Sequence, residues 1–405
     1  MNFGASFDNT QIAKRVGTLI NPNENNRKLT STQISNRLAI LCKPPGSLGV
    51  LESIAERLCE IQQTLAPITK PRHVAIFAAD HGVVVEGVSA WPSSVTRAVV
   101  NLMPSQRTAS GVFARELDCS YEVVDVGLNR ENNIEPNNPE PMAIATGVDS
   151  TSICPIAPEA SAYSSGQIPS SSPTENLDSA QLIHAAKRAG TANLYHDPAM
   201  QADDFDHAWN VGKDRASKAI NAGNKLLIGG EMGIGNTTSA SCLVALLTDS
   251  DPELVVGRGA GIDDEGLARK KHVVANAVQR VRLLGKCSPK QIACEVGGLE
   301  IVALAGYYAE GAERGATLVL DGFIATAAAL VAESIAPGTS RSMIAGHRSV
   351  EPGHAIALAS LDLEPVLDLQ MRLGEATGAL ASLPLIDLAA AMVREMATLD
   401  ELKLE

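Results

Sequence analysis

Aromatic side chains make up only 3% of this sequence. Packing must therefore rest on Ala, Leu, Val and Ile, as expected where helices cover a buried sheet. Positive charge is also scarce: 33 Lys and Arg stand against 46 Asp and Glu, a net charge of −13. With no basic tract to bind phosphates, nucleic acid is not an expected partner. The seven cysteines (Cys42, Cys59, Cys119, Cys154, Cys242, Cys287 and Cys294) are scattered and form no CxxC pair. Neither a zinc cluster nor a disulfide framework is expected, and reduced thiols in a cytoplasm fit best. The opening "MNFGASFDNTQIAKRVG" lacks the apolar run of a secretory signal. Apolar stretches such as "ASCLVALL" are too short to cross a bilayer, so no membrane association is expected.

What is present is length and hydrophobic mass. At 405 residues and 45% hydrophobic, the chain has room for a large core and two structural units. Between Thr30 and about Leu65, two amphipathic helices flank a "KPPGSLG" turn, the second placing Leu51, Ile54, Ala55, Leu58 and Ile61 on one face. Then a theme recurs. "HVAIFAADHGV" is a short buried strand, Val74 to Ala79, ending at Asp80 and His81. "YEVVDVGL" repeats the form with Asp125, "KLLIGGEMGIGNTT" with Glu231, and "GATLVLDGFIATAAAL" with Asp321. Apolar strands that end in an acid or glycine and lead into helical sequence predict an α/β fold, a doubly wound, mostly parallel sheet with helices on both faces. Ligands in such sheets bind beyond the carboxyl ends of the strands. One stretch breaks the theme: residues 131–175 are rich in Pro, Ser and Asn and read as a long excursion peripheral to the chemistry.

"GGEMGIGNTTSA" (Gly229 to Ala240) puts glycines and a helix start directly after a strand. Free N–H groups there suit a phosphate, and a tight turn fits equally well. No Lys follows at P-loop spacing. In "VGRGAGIDDEGLARKKHVV", Asp263 and Asp264 fit a helix start better than a metal, while a basic residue such as Lys270 can reach a phosphate. "GHRSVEPGH" holds two histidines, but glycine and proline make it a loop without zinc-site spacing, so orienting hydrogen bonds are expected. "MRLGEATGAL" isolates one acid, Glu375, among glycines and apolar residues. Either it caps a helix or it is a base held in an apolar pocket.

Ten stretches in order carry a resemblance: "KPPGSLGVLE", "FAADHGVVVEGVSAWP", "DVGL", "GTAN", "GEMGIGNTTSA", "VGRGAGIDDEGLARK", "GGLEI", "LDGFIATAAAL", "GHRSVEPGH" and "MRLGEATGAL". Together they resemble the nicotinate-nucleotide–dimethylbenzimidazole phosphoribosyltransferase family of cobalamin lower-ligand synthesis. The resemblance implies transfer of the phosphoribosyl group of nicotinate mononucleotide to a benzimidazole nitrogen, giving α-ribazole phosphate and nicotinate. It implies Glu375 as the catalytic base, with Glu231, Ser89, Gly233 and Leu373 around the accepting base. Gly235, Asn236, Thr237, Gly257, Lys270, Asp321 and Ser349 would hold ribose and phosphate. No metal and no cofactor are implied. A homodimer is implied, as is a small helical domain from residues 1–65 and 380–405 beside an α/β domain at 66–379.

Three departures stand out. Ala376 follows the glutamate where the family usually has glycine. "VTRAVVNL" places Ala98 where Gln is common and Leu102 where Phe is common. "PSQRTASGV" replaces a usual Gly-Gly-Ala-Ala. Residues 89–101 are expected to face the acceptor, which leaves a purine or phenolic acceptor open beside a benzimidazole. From other classes, two readings compete: a metal-dependent hydrolase using Asp80, His81, Asp263, Asp264 and His347, and a nucleotide-binding protein without turnover.

Overall fold

The computed structural model describes residues 28–129 and 180–402. The Pro/Ser-rich excursion expected at 131–175 lies outside the described residues, as do residues 1–27.

Seven parallel strands form one sheet: β1 (Arg72–Ala79), β2 (Cys119–Gly127), β3 (Gln181–His184), β4 (Leu226–Met232), β5 (Thr317–Leu320), β6 (Met343–His347) and β7 (Pro365–Leu367). Their order is β3-β2-β1-β4-β5-β6-β7. The order reverses between β1 and β4, so the crevice beyond those two strands is where a doubly wound sheet binds ligands. The four strands expected from the strand–acid theme are β1, β2, β4 and β5. β3, β6 and β7 carry too little apolar length to show, β7 being only three residues and headed by Pro365.

β1 is buried along its whole length, which is why it reads as an unbroken apolar run rather than an alternation. Ala75, Phe77 and Ala79 face a layer containing the helices Ala202–Asn221, Asn236–Leu247, Leu299–Glu313 and Phe323–Ile335. Val74, Ile76 and Ala78 face the opposite layer, with helices Ser31–Ala39, Val50–Gln62, Ala109–Glu116 and Thr377–Glu395. Ile54, Ala55 and Leu58 are buried as the period predicts, with Leu51 and Ile61 half-buried at the edges of that face.

The N-terminal and C-terminal parts of the described residues meet in this second layer. The Arg37 guanidinium donates to the Val393 carbonyl at 2.8 Å, and Leu41 bridges Thr398. Among the described residues the helix Thr377–Glu395 is long and apolar enough to cross a membrane by length and composition alone. Its apolar side is occupied: Ala379, Leu380, Leu383, Ile386, Ala389 and Val393 are buried in the second core.

Candidate active site

Beyond the carboxyl ends of β4, β5 and β6 lies a cavity of about 340 Å³. Its walls include Glu231 and Gly233 from the end of β4, Asp321 after β5, His347 at the end of β6, and Gly374 and Glu375 after β7. Val88, Val95, Val99 and Met232 supply apolar surface. Of the residues singled out from sequence, Glu375, Glu231, Ser89, Gly233, Leu373, Gly235, Asn236, Thr237, Asp321 and Ser349 all line it. Gly257 and Lys270 do not; they form the layer behind. Lys270 is fully buried, donating to Thr237 Oγ1 at 2.8 Å and to the Gly257 carbonyl at 3.1 Å. Burial pulls its ammonium down to about 8, against the opposing field of Glu351.

Glu375 sits on a left-handed turn: Gly374 has φ +84°, Glu375 +57° and Ala376 +64°. For the two non-glycine residues this conformation costs on the order of 1 kcal/mol each. Close packing holds it in place. A Cβ on Gly230 would lie 2.7 Å from the Ala376 nitrogen, and one on Gly346 would lie 2.7 Å from Ala379 Cα. Only glycines at those two strand positions let the segment press so closely onto the sheet.

The helix-capping reading of Glu375 fails. Asp321 Oδ1 accepts from Gly378 N at 2.7 Å and Ala379 N at 3.2 Å, so Asp321 holds free N–H donors at the start of the helix Thr377–Glu395. Glu375, 7% exposed, instead accepts from Ser110 Oγ at 3.3 Å. Burial pushes its carboxyl above the usual range; the Ser110 bond works against the shift, and the Asp321 charge adds to it. Leu373 is 58% exposed at the cavity rim, so the burial comes from the sheet side and not from that leucine.

Glu231 accepts a short hydrogen bond from Asn236 Nδ2. Burial, with the Glu300 and Asp321 charges nearby, drives its carboxyl well above the ordinary value. Glu300 in turn pairs with His81 Nε2 at 2.7 Å, both side chains being completely buried behind the glycine loop. Of the two "GHRSVEPGH" histidines, His354 orients its neighbours: Nδ1 accepts from Ser349 N at 2.8 Å, and Nε2 bonds Thr326 Oγ1 at 2.9 Å. Burial lowers the His354 imidazole to about 3, which keeps Nδ1 an acceptor.

The residues of the hydrolase reading are spoken for separately. Asp263 caps a helix through Gly266 N, Asp264 pairs with Arg258, and His81 pairs with Glu300. Among the described residues no group of three or more His, Cys, Asp or Glu has an arrangement that would hold a metal ion.

A phosphoribosyltransferase family model, DBI_PRT, matches residues 24–403. The nicotinate-nucleotide–dimethylbenzimidazole phosphoribosyltransferase of Chromobacterium violaceum is 42% identical over 365 residues, covering 90% of this chain and 93% of that protein. This chain belongs to the nicotinate-nucleotide–dimethylbenzimidazole phosphoribosyltransferase family. The Thermus thermophilus enzyme of the same name is also 42% identical, over 90% of this chain and 95% of its own. A crystal structure of CobT from Thermus thermophilus superposes with a TM-score of 0.78 at 40% identity, covering 93% of this chain and 98% of that one.

Within this phosphoribosyltransferase, sequence reasoning did not assign Glu351 and Arg372 to the cavity wall; His347 entered only in the hydrolase reading, and Trp91 falls within residues 89–101, expected to face the acceptor. The departures at Ala98 and Leu102 turn out to be exposed and outside that wall, whereas Val95 and Val99 from the same helix line it. Helical spacing gives the signal: positions 95 and 99 are one turn apart and share a face, and position 98 does not have to share it. Ser110 was missed too, although it lies inside the flagged "PSQRTASGV" segment.

Proposed function

We propose that this protein transfers the phosphoribosyl group of nicotinate mononucleotide to dimethylbenzimidazole or a related base, releasing nicotinate and forming α-ribazole 5′-phosphate. Glu375 is the general base. The observation that carries this reading is a buried carboxylate with an upward-shifted pKa in the wall of a cavity beyond the strand ends. A base of that kind is closer to the working pH than an ordinary glutamate and takes a proton better. The donor's pyridinium is already cationic, so nicotinate leaves without a general acid. The azole nitrogen attacks the anomeric carbon from the opposite face as Glu375 removes the proton on the other nitrogen. Inversion turns a β donor into an α product. The carboxylates of Asp321 and Glu375 face the positive charge that grows on the ribose ring. Gly233, Gly235, Asn236 and Thr237 open the helix Asn236–Leu247 toward the cavity, a fit for phosphate, with Lys270 behind Thr237. Gly257 and Ser349 complete that side. Glu231, Ser89 and Leu373 meet the accepting base. We assign the protein to the cytoplasm as a homodimer, with the helices Ser31–Ala39, Val50–Gln62 and Thr377–Glu395 packing together on one face of the sheet.

The test is release of nicotinate from nicotinate mononucleotide with dimethylbenzimidazole, benzimidazole, adenine or a cresol as acceptor. Release that needs an acceptor, survives chelator and collapses by roughly 10²–10⁴-fold in Glu375→Gln supports the reading. Full turnover by Glu375→Gln, or release with no acceptor in the panel, sinks it.

A further inference from the structure

Behind the cavity, on the side away from the glycine loop, three hydroxyls meet in an otherwise apolar layer. Ser110, fully buried near the start of the helix Ala109–Glu116, lies 3.0 Å from Tyr121 Oη on β2 and 3.1 Å from Thr108 Oγ1. Its third contact is Glu375 Oε2 at 3.3 Å. None of the three hydroxyl residues lines the cavity.

A serine hydroxyl has one proton to give and two lone pairs to receive. With Glu375 ionised, that proton goes to the carboxylate, so the bonds from Tyr121 and Thr108 must run inward to the serine oxygen. Tyr121 is suited to this, because burial pushes its phenol up to about 12 and it stays a donor throughout the working range. Thr108 caps the same helix through Gly111 N, which fixes its side chain locally. The serine is therefore held from two sides and aimed at one carboxylate oxygen.

We propose that Ser110, held by Tyr121 and Thr108, is a positioning residue that fixes Glu375 Oε2 and keeps the carboxylate in the ionised form that accepts the substrate proton. This rests on Glu375 being the base. Like charge is close at hand: Asp321 after β5 repels an ionised Glu375. Arg372, on the same segment, lines the cavity mouth as its cation. Ser110 is the described side chain that hydrogen-bonds Glu375, so its loss leaves the carboxylate with burial and like charge alone. A hydrogen bond to a charged group is stronger than one between neutral groups, and the cost of losing it falls on the ionised state.

The experiment measures kcat and KM against pH for wild type, Ser110→Ala, Tyr121→Phe and Glu375→Gln. Ser110→Ala is expected to lower kcat by roughly tenfold or more while the KM for nicotinate mononucleotide stays within about twofold. Its acid limb moves to higher pH, since more of the base is protonated at any given pH. Tyr121→Phe moves both in the same direction by less, and decides the matter if Ser110→Ala does not fold. An unchanged acid limb in both variants, or a loss confined to KM, overturns the proposal. If Glu375→Gln is inactive while Ser110→Ala behaves as wild type, the proposal falls and the base assignment stands. Full turnover by Glu375→Gln brings down both.

Discussion

Substituting Gly346 by alanine tests whether contact with the sheet is what places the base. Gly346 is on β6, outside the left-handed region, so alanine meets no backbone obstacle there and the effect is purely one of space. The added Cβ would stand 2.7 Å from Ala379 Cα, 2.8 Å from the Leu320 carbonyl oxygen and 3.1 Å from that of Gly378. All three are main-chain atoms, so no side chain can swing away. Carbon atoms sit comfortably at about 3.5–4.0 Å, so the start of the helix Thr377–Glu395 must retreat by roughly 1 Å. Overpacking of this kind costs about 1–3 kcal/mol of stability. A displacement of about 1 Å in a catalytic group is worth roughly 10² in rate. Glu375 lies two residues before that helix and shares its contacts, so kcat should fall by about that factor with the KM for nicotinate mononucleotide less affected. Steady-state kinetics and a thermal melt on the same preparation check it. A lower melting temperature with wild-type kcat would refute the reasoning, because the helix start would then have moved without carrying the base.

Other outcomes follow from the same geometry. The pH dependence of Glu375 has a definite sign: as base it works ionised, so kcat/KM falls as pH drops through a value above the ordinary carboxylate range, read from a pH–rate profile. Glu231 is raised further, so the folded state holds a proton that the unfolded chain has released; stability contributed by the protonated form is lost as pH rises from the ordinary glutamate value through the raised one. Glu231→Gln should therefore melt progressively higher than wild type as pH increases, and a constant difference from pH 5 to 8 would contradict it. Lys270→Met removes the donor to Thr237 Oγ1 and should raise the KM for nicotinate mononucleotide; in wild type the same KM should climb above about pH 8 as Lys270 loses its proton. Leu380→Ala, at a fully buried position on the second core, should cost about 2–5 kcal/mol in denaturant unfolding.

The strand–acid theme made half the sheet legible because central parallel strands are buried on both faces and leave continuous apolar runs. β3 escaped notice because it is a four-residue edge strand, only partly buried, and so carries neither a run nor an alternation. β6 was hidden because its last two residues, Gly346 and His347, open the segment "GHRSVEPGH", which read as loop. Legibility of the site follows a similar rule. Residues at strand ends, such as Glu231 and Asp321, announce themselves by position in the theme. Ser110 does not, because a buried serine in a helix looks like any small packing residue until β2 brings Tyr121 beside it. Lys270 was visible as a cation near glycines, but not that it sits behind Thr237 rather than in the cavity wall; that depends on how two helices pack, which a local pattern does not encode.

The division of roles between the two acids near the start of the helix Thr377–Glu395 follows from who receives its free N–H groups. Those donors would stabilise any carboxylate placed on them and hold it ionised, which makes a weak base. Asp321 takes them, through one oxygen accepting from both Gly378 and Ala379. Glu375 is thereby denied the strongest local source of stabilisation. On its left-handed turn it is left with burial, the repulsion of Asp321 and one serine hydroxyl. Asp321 thus both anchors the helix that positions the base and keeps that base receptive to a proton. It follows that Asp321→Asn should damage catalysis twice over: a neutral amide anchors the helix start less firmly, and removing the negative charge makes Glu375 more acidic. The second effect would show as an acid limb shifted to lower pH, opposite in direction to that expected for Ser110→Ala.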